Sequence, residues 1–207
     1  MSERLVIVGA GGHGREALAI ARAANRVETR WQSIGLVDDG PLNQDRLDRV
    51  EADVLGPVDH LIADGAAHVI AIGDPGRRRR VAERIGDSAP ATVLVDPTAW
   101  IGDDVRLGDG ALLHPGTICT TNVRVGRHSH LNCGAIVSHD CRVGDFVSLS
   151  PGVRLNGAVV VDDGAFLGTG AIVLPGRRVG QDAVVGAGAV VTTDVAPGAT
   201  VVGVPAR

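Results

Sequence analysis

A chain of 207 residues and 21.2 kDa has room for one large domain or two small ones, each able to bury a core. Of its residues 44% are hydrophobic, yet it has two Phe, two Trp and no Tyr against 29 Gly, so Val, Leu, Ile and Ala must fill the interior in place of aromatic rings. A net charge of −4 with so few rings argues against nucleic acid, which asks for basic surface and stacking platforms.

The first apolar run, Leu5-Val-Ile-Val8, is short and ends in glycines. It predicts a strand, neither a signal peptide nor a membrane span, and the chain is expected to be cytoplasmic with no membrane insertion. Helix formers follow from Glu16 to Ala24. Ser33–Val37 predicts a strand ending in the turn Asp38-Asp39-Gly40, and Ala67–Ile72 another, closed by Gly73-Asp74-Pro75. Asp74 and Pro75 are start signals for a helix over Arg77–Ile85. Strands alternating with helices imply βαβ units, here a half-Rossmann α/β domain (βαβαβ) over 1–90. Gly9-x-Gly11-x-x-Gly14, with Asp38 further on, fits the dinucleotide fingerprint. Fewer than a hundred residues precede the next domain, half of a double-wound fold, which counts against an NAD-dependent oxidoreductase. The run Arg77-Arg-Arg-Arg80 reads as a solvated helix face.

From Val95 the period becomes six. Every sixth residue through Ile101, Leu107, Leu113, Cys119 and onward to Val191 is apolar, seventeen in all without insertion. Neither an amphipathic helix nor an alternating strand has this period. A parallel β-helix does, with three short strands per coil and between five and six coils, spanning Val95 to Ala196 within a domain over 91–207. Four residues after each apolar position the side chain is small or β-branched, except at Arg177, which predicts an outward turn or a ligand contact there. Cys119, Cys133 and Cys141 lie in the repeat without metal-like spacing and read as reduced packing thiols. His114, His128 and His130 show no metal-ligand pattern, and His60 and His68 no motif, so no metal is expected.

Three segments carry a family resemblance: Val6-Ile-Val-Gly-Ala-Gly-Gly-His-Gly14, Val137-Ser-His-Asp140 and Val202-Gly-Val-Pro-Ala206. With the repeat, they resemble the hexapeptide-repeat acyltransferases of the sialic acid O-acetyltransferase type, and most closely the bacterial N-acetyltransferases of nucleotide-linked amino sugars. The resemblance implies a left-handed β-helix, against the right-handed preference of ordinary crossovers. It also implies a homotrimer, acetyl-CoA as co-substrate between adjacent β-helices, and a nucleotide-linked amino sugar held by the N-terminal domain. A 4-amino-4,6-dideoxy sugar in glycan or O-antigen synthesis would be the acceptor.

On that resemblance His139 is the general base and Asp140 its acidic neighbour. Adjacent residues of a flat strand face opposite ways, so this pairing requires a β-helix corner. Gly157 matches the position whose amide faces the thioester carbonyl; its plain alternative is a turn residue. Ser148 stands where some members carry a second histidine, nine residues after the base. Gly168, Thr169, Gly170, Gly186 and Ala187 would line the CoA groove, or be ordinary packing, and Arg177, Arg178 and Arg207 would meet its phosphates, or be solvated surface. Gly9, Gly11, Gly12, His13, Gly14, Asp38, Asp39, Gly73 and Asp74 would hold the nucleotide sugar, with phosphates at the helix N-terminus. Two alternatives stay open: O-acetylation of a sialic acid, and a non-catalytic trimeric β-helix scaffold.

Overall fold

The computed structural model describes residues 4–207. Strands β1 (Arg4–Val8), β2 (Ser33–Val37), β3 (Val54–Gly56) and β4 (Ala67–Ile70) form one parallel sheet in the order β3-β2-β1-β4. Helices α1 (Gly12–Val27), α2 (Gln44–Asp48), α3 (Val58–Asp64) and α4 (Pro75–Ile85) connect and cover it. Leu5–Val8 is buried throughout, as a central parallel strand covered on both faces must be, so its sequence is a continuous apolar run. The sequence predicts three of these strands; β3 and the short helices around it carry no sustained period that would announce them.

Helix α1 begins at Gly12, earlier than Glu16, and takes in two glycines that disfavour a helix by about 1 kcal/mol each. Close packing explains Gly14: a Cβ there would overlap the Gly9 carbonyl oxygen and lie 2.7 Å from its carbon. This is the third-glycine role of the fingerprint, in which strand end and helix start touch backbone to backbone.

Eighteen two-residue strands follow, from β5 (Leu94–Val95) to β22 (Thr200–Val201), all parallel. They stack into three faces of a left-handed β-helix, with seven, six and five strands. Ile136 pairs with Arg154 and Val137 with Leu155, eighteen residues on, so three hexads make one coil. The inward rungs Cys119, Leu131, Val137, Leu149, Leu155 and Leu167 are fully buried. The repeat does not end near Ala196. Val195 bridges Val179 and Val201 pairs with Val185, each sixteen residues apart. Two residues drop out after Val191, and the coil continues out of the six-residue register.

The N-terminal domain docks on the seven-stranded face, where Leu94 and Leu112 join the core of α1. Between the domains lie two buried histidines, His68 on β4 and His128 at a corner, stacked 6.2 Å apart. Burial pushes both down to about 4 from an ordinary 6.5; for His128, His68, Arg78 and Arg127 add to this and Asp145 opposes it. The folded-state values lie below the unfolded ones, so on acidification the unfolded chain takes up protons first. The thermal midpoint is therefore expected to fall as pH drops from 6.5 towards 4, measured by calorimetry, and His128→Phe to flatten that slope.

No helix of the described residues is long and apolar enough to cross a membrane.

Candidate active site

His139 and Asp140 lie between strands Ile136–Val137 of the six-stranded face and Arg142–Val143 of the five-stranded face. This is the corner farthest from the docked domain, and the bend lets neighbouring side chains meet. Asp140 adopts φ 64°, as do Asp104, Asn122 and Ala158 with φ of 51°, 54° and 58° at the equivalent places. Asp and Asn tolerate this left-handed region better than most residues. His139 Nδ1 lies 2.8 Å from Asp140 Oδ2, and Asn122 Nδ2 donates to Asp140 Oδ1 at 3.2 Å. Bonds from His139 first, then Asn122, hold the Asp140 carboxyl below its ordinary range. An ionised Asp140 accepts a hydrogen bond from Nδ1–H, which leaves the unprotonated Nε2 as the basic atom. Asn122 belongs to no motif of the sequence. The signal was the coil length, since it sits eighteen residues before Asp140.

Gly157, one coil above His139, is buried beneath the imidazole. A Cβ at 157 would lie 2.6 Å from Nε2 and closer still to Cε1. The glycine therefore makes room for the ring, a role not read from the sequence. Its amide donates to no group among the described residues, so it is available to an incoming oxygen. Because the His139 side chain is 62% exposed, the ring swings aside at little cost. Gly157→Ala is accordingly expected to keep the wild-type melting temperature but lose about tenfold or more in kcat through ring displacement, read from steady-state kinetics beside a melting curve.

The glycine turn faces a cavity. It encloses about 480 Å³ and is lined by Gly9, Gly11, Gly12, His13, Asp38, Asp39, Gly73, Arg77 and Arg80, among others. Gly11, before α1, gives no side-chain cap, so the first amides of a sixteen-residue helix stay free for an anion. Gly14 supports the turn from behind. Asp38 borders this cavity and accepts from the Ala10 amide at 2.6 Å and the Gly40 amide at 2.8 Å. Asp39 accepts from the Val58 amide and Arg84. Asp74 caps α4 through the Arg77 amide. These carboxylates shape the rim.

The run 77–80 is not the uniformly solvated face expected of it. Arg78 is fully buried, and Arg77 and Arg80 line the cavity. Ser148 is also buried; its hydroxyl donates to the Gly73 carbonyl at 2.9 Å and accepts from Arg78. The residue in the second-histidine position thus belongs to the domain junction.

Thr169 and Ala187 stand exposed at the corner between the seven- and six-stranded faces, and their amides too donate to no group among the described residues. Gly168 packs under that corner, where a Cβ would lie 2.6 Å from the Ala187 nitrogen; Gly170 and Gly186 flank it. Arg177 is half-buried on the His139 corner, 3.8 Å from Asp194, while Arg178 is paired to Asp162 and Arg207 is exposed. One chain thus carries the base on one corner, the small-residue groove on a second and the nucleotide cavity over the face between the second and third. It does not bring them together. It does gather His13, Glu16 and His114, which sequence spacing gave no reason to group.

Residues 4–85 match the family model described as the PglD N-terminal domain. No curated protein matches the chain. Among solved structures it is similar to WeeI from Acinetobacter baumannii AYE, 33% identical over 98% of both chains with a TM-score of 0.82. It is also similar to a perosamine N-acetyltransferase variant from Caulobacter crescentus, solved with CoA and GDP-perosamine: 31% identical, covering 98% of this chain and 95% of that one, TM-score 0.87. The acetyltransferase domain of PglB from Neisseria gonorrhoeae FA1090, in complex with acetyl coenzyme A, is 28% identical over 100% of this chain and 99% of its own, TM-score 0.87. With the six-residue coil, the corner histidine and these full-length matches, the chain belongs to the hexapeptide-repeat sugar acetyltransferase family.

Proposed function

We propose that the chain is an acetyl-CoA-dependent N-acetyltransferase for a nucleotide-linked amino sugar, a 4-amino-4,6-dideoxy sugar, with His139 as general base. The observation that carries this reading is the His139–Asp140 pair seated over Gly157. The relatives solved with CoA and GDP-perosamine, and with acetyl coenzyme A, support the choice of substrates. The sugar amine attacks the thioester carbonyl carbon while His139 Nε2 takes its proton, and Asp140 stabilises the imidazolium. Negative charge gathers on the carbonyl oxygen, facing the Gly157 amide as a preorganised donor. The carbon–sulfur bond then breaks, and the departing CoA thiolate takes the proton back from His139.

The amides at the start of α1 and the cationic Arg77 and Arg80 suit the diphosphate, with His13 beside it. Thr169 and Ala187 amides, with Gly168, Gly170 and Gly186, receive the CoA arm; Arg177 and Arg207 receive its phosphates. A homotrimer joins these parts, one copy's His139 corner meeting the next copy's groove and cavity. In support, the outward residues of the six-stranded face include Trp100, Ile118, Ile136, Ile172 and Val190, an apolar surface that one chain leaves uncovered. Three free cysteines and the acetyl-CoA requirement suit the cytoplasm, where precursors for O-antigen-type glycans are built.

The test is thiol release from acetyl-CoA against UDP-, GDP- and dTDP-linked 3- and 4-amino sugars and free sialic acid. Release with one nucleotide amino sugar supports the proposal and names the acceptor. Release with sialic acid alone replaces it with O-acetylation. No release and no CoA binding would overturn the enzyme reading.

A further inference from the structure

Where α1 meets the corner between the seven- and six-stranded faces, His13, which also borders the nucleotide cavity, converges with Glu16, His114 and Cys133. His13 Nδ1 lies 3.4 Å from Glu16 Oε2, and His114 Nδ1 lies 4.0 Å from the same oxygen. Cys133 Sγ lies 4.0 Å from His114 Nδ1. The ligand atoms of His13, Glu16 and His114 all fall within 4.8 Å of one another. The contacts to Glu16 exceed the ordinary hydrogen-bond length of about 2.7–3.2 Å. Spacing of this order instead suits ligands around a shared ion: bonds of about 2.0–2.3 Å to a tetrahedral zinc separate neighbouring ligand atoms by about 3.3–3.8 Å.

We propose that His13, Glu16, His114 and Cys133 bind one divalent transition-metal ion, with zinc favoured by the donor set. Two imidazoles, one thiolate and one carboxylate are borderline-soft ligands suited to a four-coordinate site. Cys133 lies outside the three-residue group and approaches it only through His114, and the His13 and His114 rings are stacked with centroids 4.8 Å apart, so binding requires Glu16 and Cys133, both exposed, to turn inward and the two rings to tilt towards the ion. The far side of His13 is already fixed: its Nε2 lies 3.1 Å from Nδ1 of the fully buried His130, the kind of outer partner that orients a liganding imidazole. Four protein ligands leave no open position, so the ion is structural. It pins α1, and with it the floor of the nucleotide cavity, to the β-helix.

The site is tested on tag-free, full-length protein independently of acetyl transfer, so its failure and failure of the enzymatic reading are distinguishable. After dialysis against trace zinc, elemental analysis is expected to find one zinc per chain. Cobalt substitution is expected to give the visible bands of a tetrahedral ion together with a thiolate-to-cobalt charge-transfer band. Cys133→Ser should remove the charge-transfer band, and Glu16→Gln should weaken cobalt affinity by about tenfold or more. Both positions are exposed enough for the variants to fold. Absence of stoichiometric zinc and of a cobalt spectrum would overturn the proposal. So would a cobalt spectrum that neither substitution alters, since the ion would then sit elsewhere.

Discussion

His139→Ala is expected to lower kcat for acetyl transfer by about 10²–10⁴-fold, the usual worth of a positioned general base, while the melting temperature and CoA binding stay as in the wild type. The expectation of an unchanged fold comes from exposure: the side chain is 62% exposed, lies over Gly157 and, among the described residues, has its hydrogen bond to Asp140, and surface substitutions of this kind usually move stability by about 0.5 kcal/mol or less. Asp140→Asn is expected to cost less, because the imidazole stays in place and loses the carboxylate that sets its tautomer. Asn122→Ala, one bond further out, should cost less again. Steady-state kinetics on the three variants, each beside a melting curve, measure the series. An Asp140→Asn defect as deep as that of His139→Ala would mean that the carboxylate itself handles the substrate. A His139→Ala variant with wild-type kcat would remove the proposed base and with it the mechanism.

That series also marks how far the site was legible in the sequence. A strict period of six says that each face is one short strand, and three faces then give eighteen residues per coil. His139 and Asp140 are visible because they are sequential and because the corner turns them to one side. Gly157 and Asn122 are equally fixed by the same arithmetic, at +18 from His139 and −18 from Asp140, but only once coils are stacked in register. What the repeat hides is any break in its own count. The two residues lost between Val191 and Val195 leave no trace in the six-residue pattern, whereas Val179 and Val195 still meet across the coil. The α/β domain was legible where strands are long and buried, and illegible across residues 41–64, where two short helices flank a three-residue strand. Asp38 and Asp39 border the cavity and also hold backbone amides, a second role the sequence does not display. A carboxylate at a strand's end serves the adjacent backbone amides as readily as a ligand, and sequence does not say which it meets first.

The four-arginine run holds the second large effect. Successive helix residues point about 100° apart, so in a run of four one is turned inward whatever the others do, and here it is Arg78. Its Nε donates to the His128 carbonyl at 2.7 Å and Nη1 to the Ile72 carbonyl at 2.6 Å. Nη2 reaches the Phe146 carbonyl at 2.9 Å and Ser148 Oγ at 3.0 Å. Burial presses its pKa down to about 9, with Asp74 opposing, and the group stays charged at neutral pH. This one guanidinium therefore satisfies the carbonyls of both domains across their seam.

Arg78→Met keeps most of the volume and removes every donor, leaving buried acceptors that cost about 1–3 kcal/mol each; a total loss of about 3–5 kcal/mol is expected, as for breaking a buried charged network. Against a domain stability of about 5–15 kcal/mol, that is enough to separate the two domains. The β-helix core contains no part of Arg78, so calorimetry should resolve an early transition for the N-terminal domain and a later one for the β-helix. Protease should now cut within residues 86–93, and nucleotide-sugar affinity should fall, because the loop at Gly73 that Arg78 holds also borders the cavity. Arg78→Lys should recover little, since one ammonium lacks the planar fork that spans these acceptors. A single cooperative transition at the wild-type temperature in Arg78→Met would show that apolar contact alone, through Leu94 and Leu112 against α1, holds the domains together.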